Sequence, residues 1–283
     1  MSQTNTGKIL FTIDVEDWFH VESMREKFPV NSWKSQTYRI EKNVNDILSL
    51  LDQKNYNATF FCLGDVAEMF PGLIRLIHSQ GHEIASHGYS HQMLNALSDN
   101  DIKYELLKSK GILENILGEA VYGYRAPTFS IRDGVYQLLK ETGYRYDSSL
   151  NLFKYHDKYG SVDMNNFKKI SEGVLDHSSG IRAFTIPVIS RLGLNLPWGG
   201  GGYFRLIPYA IYKREVRRFL KKNDFFMFYI HPWELDFMQP RIKDIGLSNY
   251  FRHYNGLKNT FNNLSSLMDD FDCVSIANSG LLD

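Results

Sequence analysis

Four short groups of polar residues, each directly after an apolar run, carry the side-chain types that hydrolytic chemistry needs. They are the acidic run 14–17, the histidine pair 87–91, the arginine–proline sequence 125–127 and the histidine-led sequence 231–234. Carboxylates and imidazoles serve as general acids, general bases and metal ligands. The shared placement of the four groups is more informative than any one of them.

The first group places three carboxylates within four residues, namely Asp14, Glu16 and Asp17. Like charges held together near a core raise one another's pKa unless a cation compensates them. A bound metal ion would supply that compensation. The alternative is an acidic turn that faces the solvent.

The second group contains His87 and His91, four residues apart. On a helical turn this spacing directs both imidazoles to one face, where they can share a metal ion. Two neutral histidines and one carboxylate form a known catalytic zinc set that leaves a coordination position open for water. The alternative is a pair of surface histidines without a ligand.

The other two groups supply a fixed cation and a titratable one. Arg125 would bind a carboxylate through its forked guanidinium, in an active site or in a structural salt bridge. Pro127 gives the segment after it a rigid turn. His231 follows the apolar run 225–230 and has an ordinary pKa near neutrality, so it suits a general acid, although a lone histidine is more often structural.

The elements that must position these residues follow from the alternation of apolar runs with helical patterns, which predicts parallel strands joined by helices. Predicted strands cover 9–13, 58–63, 82–85, 121–124, 144–146, 183–187 and 225–230. Predicted helices cover 44–54, 65–80, 98–117, 133–142, 208–222 and 257–268. About seven β/α units favour a closed barrel, in which all strand C-termini share one rim with the active site. The stretch 151–202 is predicted to be a loop-rich insertion.

Composition excludes several classes of protein. The chain has 283 residues, 32 Lys and Arg against 32 Asp and Glu, and 43% apolar residues. This balance argues against a disordered chain and against a strongly basic surface that binds nucleic acid. Cys62 and Cys273 cannot form a disulfide framework, and no apolar window is long enough to span a membrane, so we expect a soluble, cytoplasmic protein.

Aromatic and basic residues predict further contacts. Trp198, Tyr203 and Trp233 are candidate platforms for sugar rings, with ordinary packing as the alternative. Six cations between residues 213 and 222 predict either a solvated face or a surface that contacts an anionic bilayer or a lipid-diphosphate carrier of a glycan. They are Lys213, Arg214, Arg217, Arg218, Lys221 and Lys222.

In their order along the chain, the four groups resemble the polysaccharide deacetylase superfamily, the NodB-homology or carbohydrate esterase 4 family. The segments FTIDVEDWFH, EIASHGYSH, GYRAPTFSI, YRYDSS, GGGYFR and FYIHPWELD are similar to the branch associated with bacterial exopolysaccharide and surface-glycan gene sets. The resemblance implies a distorted (β/α)7-type barrel. It also implies one catalytic domain over residues 1–283, with 199–283 a C-terminal portion that is integral to the barrel.

The resemblance also implies residue roles in catalysis. Asp14 matches the catalytic base, Arg125 the arginine that orients this base, and His231 the general acid. Asp147 falls near a family motif whose residue orients the acid, and Pro127 lies where the family lines its substrate site.

The metal site is implied in the same way. His87 and His91 match the two histidine ligands. The carboxylate ligand is Glu16 or Asp17, because Val15 interrupts the family's usual pair of adjacent aspartates. Two histidines and one carboxylate suit Zn²⁺, and Co²⁺, Ni²⁺ or Fe²⁺ bind similar sets.

These observations predict a metal-dependent N-deacetylase that acts on an N-acetylhexosamine of a bacterial surface glycan or its lipid-linked precursor. Two alternatives stay open. The same site could hydrolyse a linear amide that is not a sugar, since one fold hosts several reactions. The barrel could also be a glycan-binding protein without activity, a role that would not require an acid and a base together.

Overall fold

The computed structural model describes residues 7–151, 160–191 and 194–282. The strands are β1 (Lys8–Val15), β2 (Thr59–Cys62), β3 (Glu83–Ser86), β4 (Gly123–Tyr124), β5 (Tyr146–Leu150), β6 (Phe167–Ser171), β7 (Val174–His177), β8 (Arg182–Thr185), β9 (Val188–Arg191), β10 (Leu194–Pro197), β11 (Phe225–Ile230) and β12 (Cys273–Val274). The α-helices are α1 (Ile40–Lys54), α2 (Gly64–Met69), α3 (Pro71–Ser79), α4 (Asp99–Leu117), α5 (Asp133–Glu141), α6 (Gly201–Leu206), α7 (Tyr209–Leu220), α8 (Leu247–Tyr254) and α9 (Leu257–Asp270).

Parallel strands form the centre of the molecule, in the order β11-β1-β2-β3-β4-β5-β8. The antiparallel strands β7 and β6 extend the sheet beyond β8, and β12 pairs with β1. Ile13 of β1 lies opposite Ile230 of β11 on one side and Phe60 of β2 on the other. This mixed α/β fold with a mostly parallel sheet confirms the predicted fold class.

No strand pairing joins β8 to β11 within the part of the chain that is described. A short segment lies between them instead. The Trp198 N–H donates to the Pro187 carbonyl at 3.1 Å, and the Tyr229 N–H donates to the Gly199 carbonyl at 2.8 Å. A Cβ on Gly199 would lie 2.6 Å from the Met227 carbonyl oxygen, so only glycine fits at this position beside β11. The barrel is therefore distorted, and this segment bridges its open side.

The apolar face of α1 shows how the helices cover the sheet. Val44, Ile47, Leu48 and Leu51 are all buried in the main core, as their spacing predicted. Each such side chain contributes about 1.5–3 kcal/mol through its burial. The helix is thereby fixed against the sheet whose strand ends carry the polar groups.

One predicted helix and one predicted loop stretch are among the elements that differ from the structure. The single helix predicted over 65–80 is broken at Phe70, where φ is −124°, and α3 restarts with Pro71 at its first position. Proline has no N–H to continue a helix but suits a first turn. The stretch 151–202 holds β6 to β10 in its described part, so the prediction of a loop-rich insertion was wrong there. Over the residues that the structure covers, no helix has the length and apolar character needed to cross a membrane.

Candidate active site

The four polar groups lie at the C-terminal ends of neighbouring parallel strands. Asp14 is the next-to-last residue of β1, His87 follows β3, Arg125 follows β4 and His231 follows β11. Because the C-terminal ends of parallel strands meet at one rim, the four side chains converge. All four are at least largely buried, with Arg125 and Asp14 the most deeply placed.

Three side chains form a compact set of metal-type donors. Glu16 Oε1 lies 2.8 Å from Nε2 of His87 and 3.0 Å from Nε2 of His91. All three residues are buried, and one donor atom from each lies within 4.8 Å of the others. The predicted helical turn is absent between the two histidines in this described stretch. Gly88 at φ 73° and His91 at φ 52° form a left-handed loop that brings the imidazoles together.

The donor set fits a divalent cation. The His87 Nδ1 atom lies 2.8 Å from the Arg125 carbonyl oxygen, so its N–H points there and Nε2 keeps a lone pair for a ligand. Burial alone would raise the pKa of Glu16. The nearby His91 and His231 charges and the imidazole hydrogen bonds outweigh burial and hold this pKa well below its ordinary value. The carboxylate is therefore ionised and ready to bind a cation.

Asp14 and Arg125 form a buried ion pair beside this set. Arg125 Nη1 donates to Asp14 Oδ1 at 2.6 Å and to Thr12 Oγ1 at 2.9 Å. Its Nη2 donates to Ser148 Oγ at 2.8 Å, and its guanidinium lies 4.1 Å from the centre of the Phe61 ring. Arg125 is thus fixed on three sides, and it fixes one oxygen of Asp14.

The other oxygen of Asp14 faces His231. His231 Nε2 lies 3.8 Å from Asp14 Oδ2 and 3.9 Å from Glu16 Oε1. Burial lowers the pKa of His231, but the carboxylates of Glu16, Glu234 and Asp14 outweigh burial and raise this pKa to about 9. At neutral pH His231 is therefore protonated on Nε2, the nitrogen that faces Asp14 and Glu16.

Glu234 binds Nδ1, at the opposite edge of this imidazole, and was not predicted as a site residue. Its Oε1 accepts from His231 Nδ1 at 2.8 Å, and its Oε2 accepts from Arg205 Nε at 2.6 Å. Burial would raise the pKa of Glu234, but the Arg205 and His231 charges lower it to about 2. The sequence did contain a signal for this contact. Glu234 is three residues after His231, and the 3-10 helix that begins at Pro232 brings residues at this spacing together.

The prediction that Asp147 orients His231 does not agree with the structure. Its carboxylate accepts from the Tyr136 hydroxyl at 3.1 Å and from the Ser149 N–H at 3.1 Å, and it binds the Ser149 hydroxyl. Side chains alternate along a strand, so Asp147 faces helix α5 while its neighbour Ser148 faces Arg125. Burial raises the pKa of Asp147 to about 6.

Asp17, one of the two predicted carboxylate ligands, lies outside the metal-type set. Its Oδ2 accepts the backbone N–H groups of Arg39 at 2.6 Å and Ile40 at 2.9 Å, and its Oδ1 accepts that of Trp18 at 2.8 Å. Asp17 therefore caps the unpaired N–H groups at the start of α1. Its burial raises its pKa to about 6.

The predicted substrate contacts separate into different environments. Trp198 packs in the main core and stacks on Tyr212 with ring centres 5.4 Å apart, which contradicts a role as an open sugar platform. Tyr203 is half-buried on α6. Trp233 lies beside the site, with its ring centre 5.4 Å from that of His231. Pro127 is buried directly after Arg125 and Ala126.

Arg25 was also missed. Its Nη2 lies 3.2 Å from Nδ1 of His91 and donates to the His91 carbonyl. Arg25 is eleven residues beyond Asp14, in a stretch without a chemical motif, so the sequence offered no signal for this contact.

Comparison with known proteins divides the chain into two matched regions. Residues 32–146 match the polysaccharide deacetylase family, and residues 148–279 match a domain of unknown function, DUF3473. The peptidoglycan deacetylase of Helicobacter pylori is 33% identical over 110 residues, which cover 39% of this chain and 38% of that protein. A peptidoglycan-N-acetylglucosamine deacetylase of Bacillus cereus is 38% identical over 81 residues, which cover 29% and 30%. The alignments thus span little more than a third of these relatives at most.

Solved structures share the fold across the chain. A Mycobacterium smegmatis protein proposed to be a polysaccharide deacetylase superposes with a TM-score of 0.59 at 20% identity, over 98% of this chain and 90% of its own. A carbohydrate esterase 4 pseudoenzyme of Bacillus anthracis gives a TM-score of 0.53 at 15% identity, over 99% and 67%. At these identities the structures establish the fold alone. The chain thus combines a region that matches the polysaccharide deacetylase family, residues 32–146, with a DUF3473 region, residues 148–279.

Proposed function

We propose that the protein is a metal-dependent N-deacetylase that hydrolyses the acetamide of an N-acetylhexosamine, in a bacterial surface glycan or its lipid-linked precursor, and releases acetate. The observation that carries the proposal is the convergence of a base and an acid on one metal-type set. Asp14 Oδ2 and His231 Nε2 lie 3.8 Å apart, and His231 Nε2 lies 3.9 Å from the shared oxygen of Glu16.

Glu16, His87 and His91 would hold the ion, with Zn²⁺ the best match to two imidazoles and a carboxylate and with Co²⁺, Ni²⁺ or Fe²⁺ as alternatives. An ion held by these residues would supply Lewis-acid chemistry: it would polarise the acetyl carbonyl and lower the pKa of a water molecule.

Asp14 acts as the general base. Arg125 binds Oδ1, which fixes the carboxylate and leaves Oδ2 to accept a proton from the attacking water. A new C–O bond then forms at the acetyl carbon. The deacetylase match covers Arg125 and the two histidines but begins after Asp14 and Glu16.

His231 acts as the general acid. It donates the proton on Nε2 to the amide nitrogen as the C–N bond breaks, so the products are acetate and a free amino sugar. Glu234 accepts a hydrogen bond from the Nδ1–H group of His231, which stabilises the charged imidazolium and fixes the orientation of the ring. Arg205 acts through Glu234 as a positioning residue. His231, Glu234 and Arg205 all lie in the DUF3473 match, so we propose that residues 1–283 act as one catalytic domain.

Acetate release tests the proposal. The substrates are N-acetylglucosamine oligomers, lipid-linked N-acetylhexosamines and linear N-acetyl amines. The protein is assayed as purified, after chelation, and after Zn²⁺ or Co²⁺ is restored, with Asp14→Asn as the control. Metal-dependent release from sugars that Asp14→Asn abolishes supports the proposal.

Two other outcomes identify the alternatives. Release from linear amides alone would indicate the second hydrolase function. No release from any substrate, with metal confirmed bound, would indicate a glycan-binding protein without activity.

A further inference from the structure

An exposed apolar surface lies on α8 and the loop before it. Leu247 is 92% exposed and Met238 is 68% exposed, the two highest values among large apolar side chains in the described chain. Phe251 and Phe237 are 57% and 49% exposed. Single exposed apolar residues are normal on a protein surface, but a group of this kind marks an interaction site.

The geometry of α8 places part of this group on one face. Leu247, Tyr250 and Phe251 are separated by three and four residues, so they share a side of the helix. His253 is buried on another side of the helix. Tyr254 lies one turn beyond Tyr250 on the same side, where it is buried with its ring centre 4.7 Å from that of Tyr250. This apolar side of α8 therefore meets solvent at Leu247, Tyr250 and Phe251 and is packed at its C-terminal end.

The loop before α8 is held against that helix. The Tyr254 hydroxyl donates to the Pro240 carbonyl and accepts from the Ile242 N–H, both at 2.9 Å. The Gln239 Oε1 lies 2.8 Å from Nε2 of His253. These contacts hold loop residues 239–242 against the C-terminal end of α8, and the exposed Met238 directly precedes them. We call residues 237–252 the α8 surface.

The charges of the α8 surface are mostly positive and unneutralised. Arg241, Lys243 and Arg252 are exposed, and none of them forms an ion pair with a carboxylate of the described residues. Asp244 is the single acidic residue of this stretch. The surface therefore combines apolar side chains with a net positive charge.

The basic run 213–222 differs in this respect. Asp270 pairs with Lys213 and Arg217, and Glu215 pairs with Arg214 and Arg218. These two carboxylates offset only part of the charge of the six cations, so the run keeps a net positive charge. None of the large apolar side chains that are exposed in the described chain lies between residues 213 and 222, so this run lacks the apolar group of the α8 surface. Its predicted contact with an anionic bilayer stays a prediction.

We propose that the α8 surface docks the protein on an anionic lipid bilayer. Leu247, Phe251 and Met238 enter the boundary between headgroups and acyl chains, and the three cations meet anionic headgroups. A second copy of the chain fits this surface less well. A two-fold contact would bring the unpaired cations of both copies together, and like charges repel.

The α8 surface adjoins the candidate site. Gln239 Nε2 donates to the Trp233 carbonyl at 2.8 Å, and the Trp233 ring lies between the rings of His253 and His231. Docking would therefore bring His231 beside the membrane, where a lipid-linked glycan is anchored. That consequence for substrate rests on the proposed function, whereas the docking itself does not.

Vesicle flotation tests the docking. The full-length protein is mixed with vesicles of phosphatidylcholine alone or with phosphatidylglycerol added. We expect flotation with the anionic vesicles only, weakened by salt. Leu247→Ser with Phe251→Ser should weaken binding about tenfold or more, because two apolar side chains no longer leave water. The matched control is Tyr104→Ser with Leu107→Ser, two exposed residues of α4 that are 58% and 49% exposed.

The results separate the explanations. Flotation of the α4 variant at the wild-type level, with loss in the α8 variant, supports the proposal. Equal flotation of wild type and the α8 variant would overturn it, as would a loss confined to Lys221→Gln with Lys222→Gln. No flotation of wild type would also overturn it, and an α8-dependent dimer in sedimentation velocity would then assign the surface to a second copy. Asp14→Asn should float normally, because docking is independent of hydrolysis.

Discussion

Arg205 and Glu234 form a buried ion pair, with Nε and Oε2 2.6 Å apart and side chains only 2% and 1% exposed. The remaining donors of Arg205 reach the carbonyl groups of Arg252, His253 and Asn255 at the end of α8. The pair thus links the helix that carries the exposed surface to the carboxylate that holds His231. Breaking such a pair by removing one partner costs about 3–5 kcal/mol.

Glu234→Gln should change the pH dependence of acetate release. Glu16 and then Glu234 are the main carboxylates that raise the pKa of His231 to about 9, so removal of the Glu234 charge should lower this pKa. The alkaline limb of kcat/KM is then expected at lower pH, and kcat should fall. Rate profiles across pH measure this effect. Glu215→Gln, a buried glutamate that pairs with Arg214 and Arg218, is the control, and an unmoved limb in Glu234→Gln would contradict the assigned role.

Arg205→Met should destabilise the protein by about 3–5 kcal/mol, because it leaves Glu234 buried without its cation. Arg205→Lys keeps the charge but loses the forked donors, so an intermediate loss is expected. Urea unfolding of the two variants and wild type measures the difference. A stability of Arg205→Met within 1 kcal/mol of wild type, taken as the rough limit for a surface substitution, would show that the pair matters little.

Asp14→Asn should abolish most activity without loss of metal. A general base contributes about a hundredfold to ten-thousandfold to the rate, and Asp14 is bound to Arg125 rather than to the metal-type set. Acetate release and metal content of the same preparation provide the test. If Asp14→Asn lost its metal, Asp14 would have to be reassigned as a ligand.

Glu16→Gln and Asp17→Ala should have opposite effects. Glu16→Gln removes the charged oxygen that both histidines face, so metal content and activity should fall together. Asp17→Ala should keep the metal and lower the free energy of unfolding by about 1–2 kcal/mol, because the first N–H groups of α1 lose their acceptor. Metal analysis and chemical denaturation of each variant distinguish the two. Metal loss in Asp17→Ala would contradict the placement.

The sequence could predict which residues lie at strand ends, because an apolar run followed by a polar group can be recognised from the sequence alone. The strand 225–230 was predicted with its observed ends, and the positions of Asp14, His87, Arg125 and His231 followed from that pattern. Convergence of these residues then required only that the strands be parallel neighbours.

Side-chain direction within a strand could not be predicted in the same way. Strand β5 begins at Tyr146 instead of ending there, and a change of one residue exchanges the inner and outer faces. Asp147 therefore faces α5, and Ser148 holds Arg125. Long-range partners were equally hidden, since Arg205 and Glu234 are 29 residues apart and meet only after two helices are packed.

The strand that carries Asp14 and Glu16 is paired with chain that is synthesised much later. Residues 8–15 lie between 225–230 on one side and 59–62 with 273–274 on the other. During translation one edge of β1 stays unpaired until most of the chain has been synthesised. Contacts between residues so far apart in the sequence also form slowly. A fragment that stopped at residue 146 would hold the two histidines and Arg125, but Asp14, the proposed general base, would lie on an exposed sheet edge that is prone to aggregation.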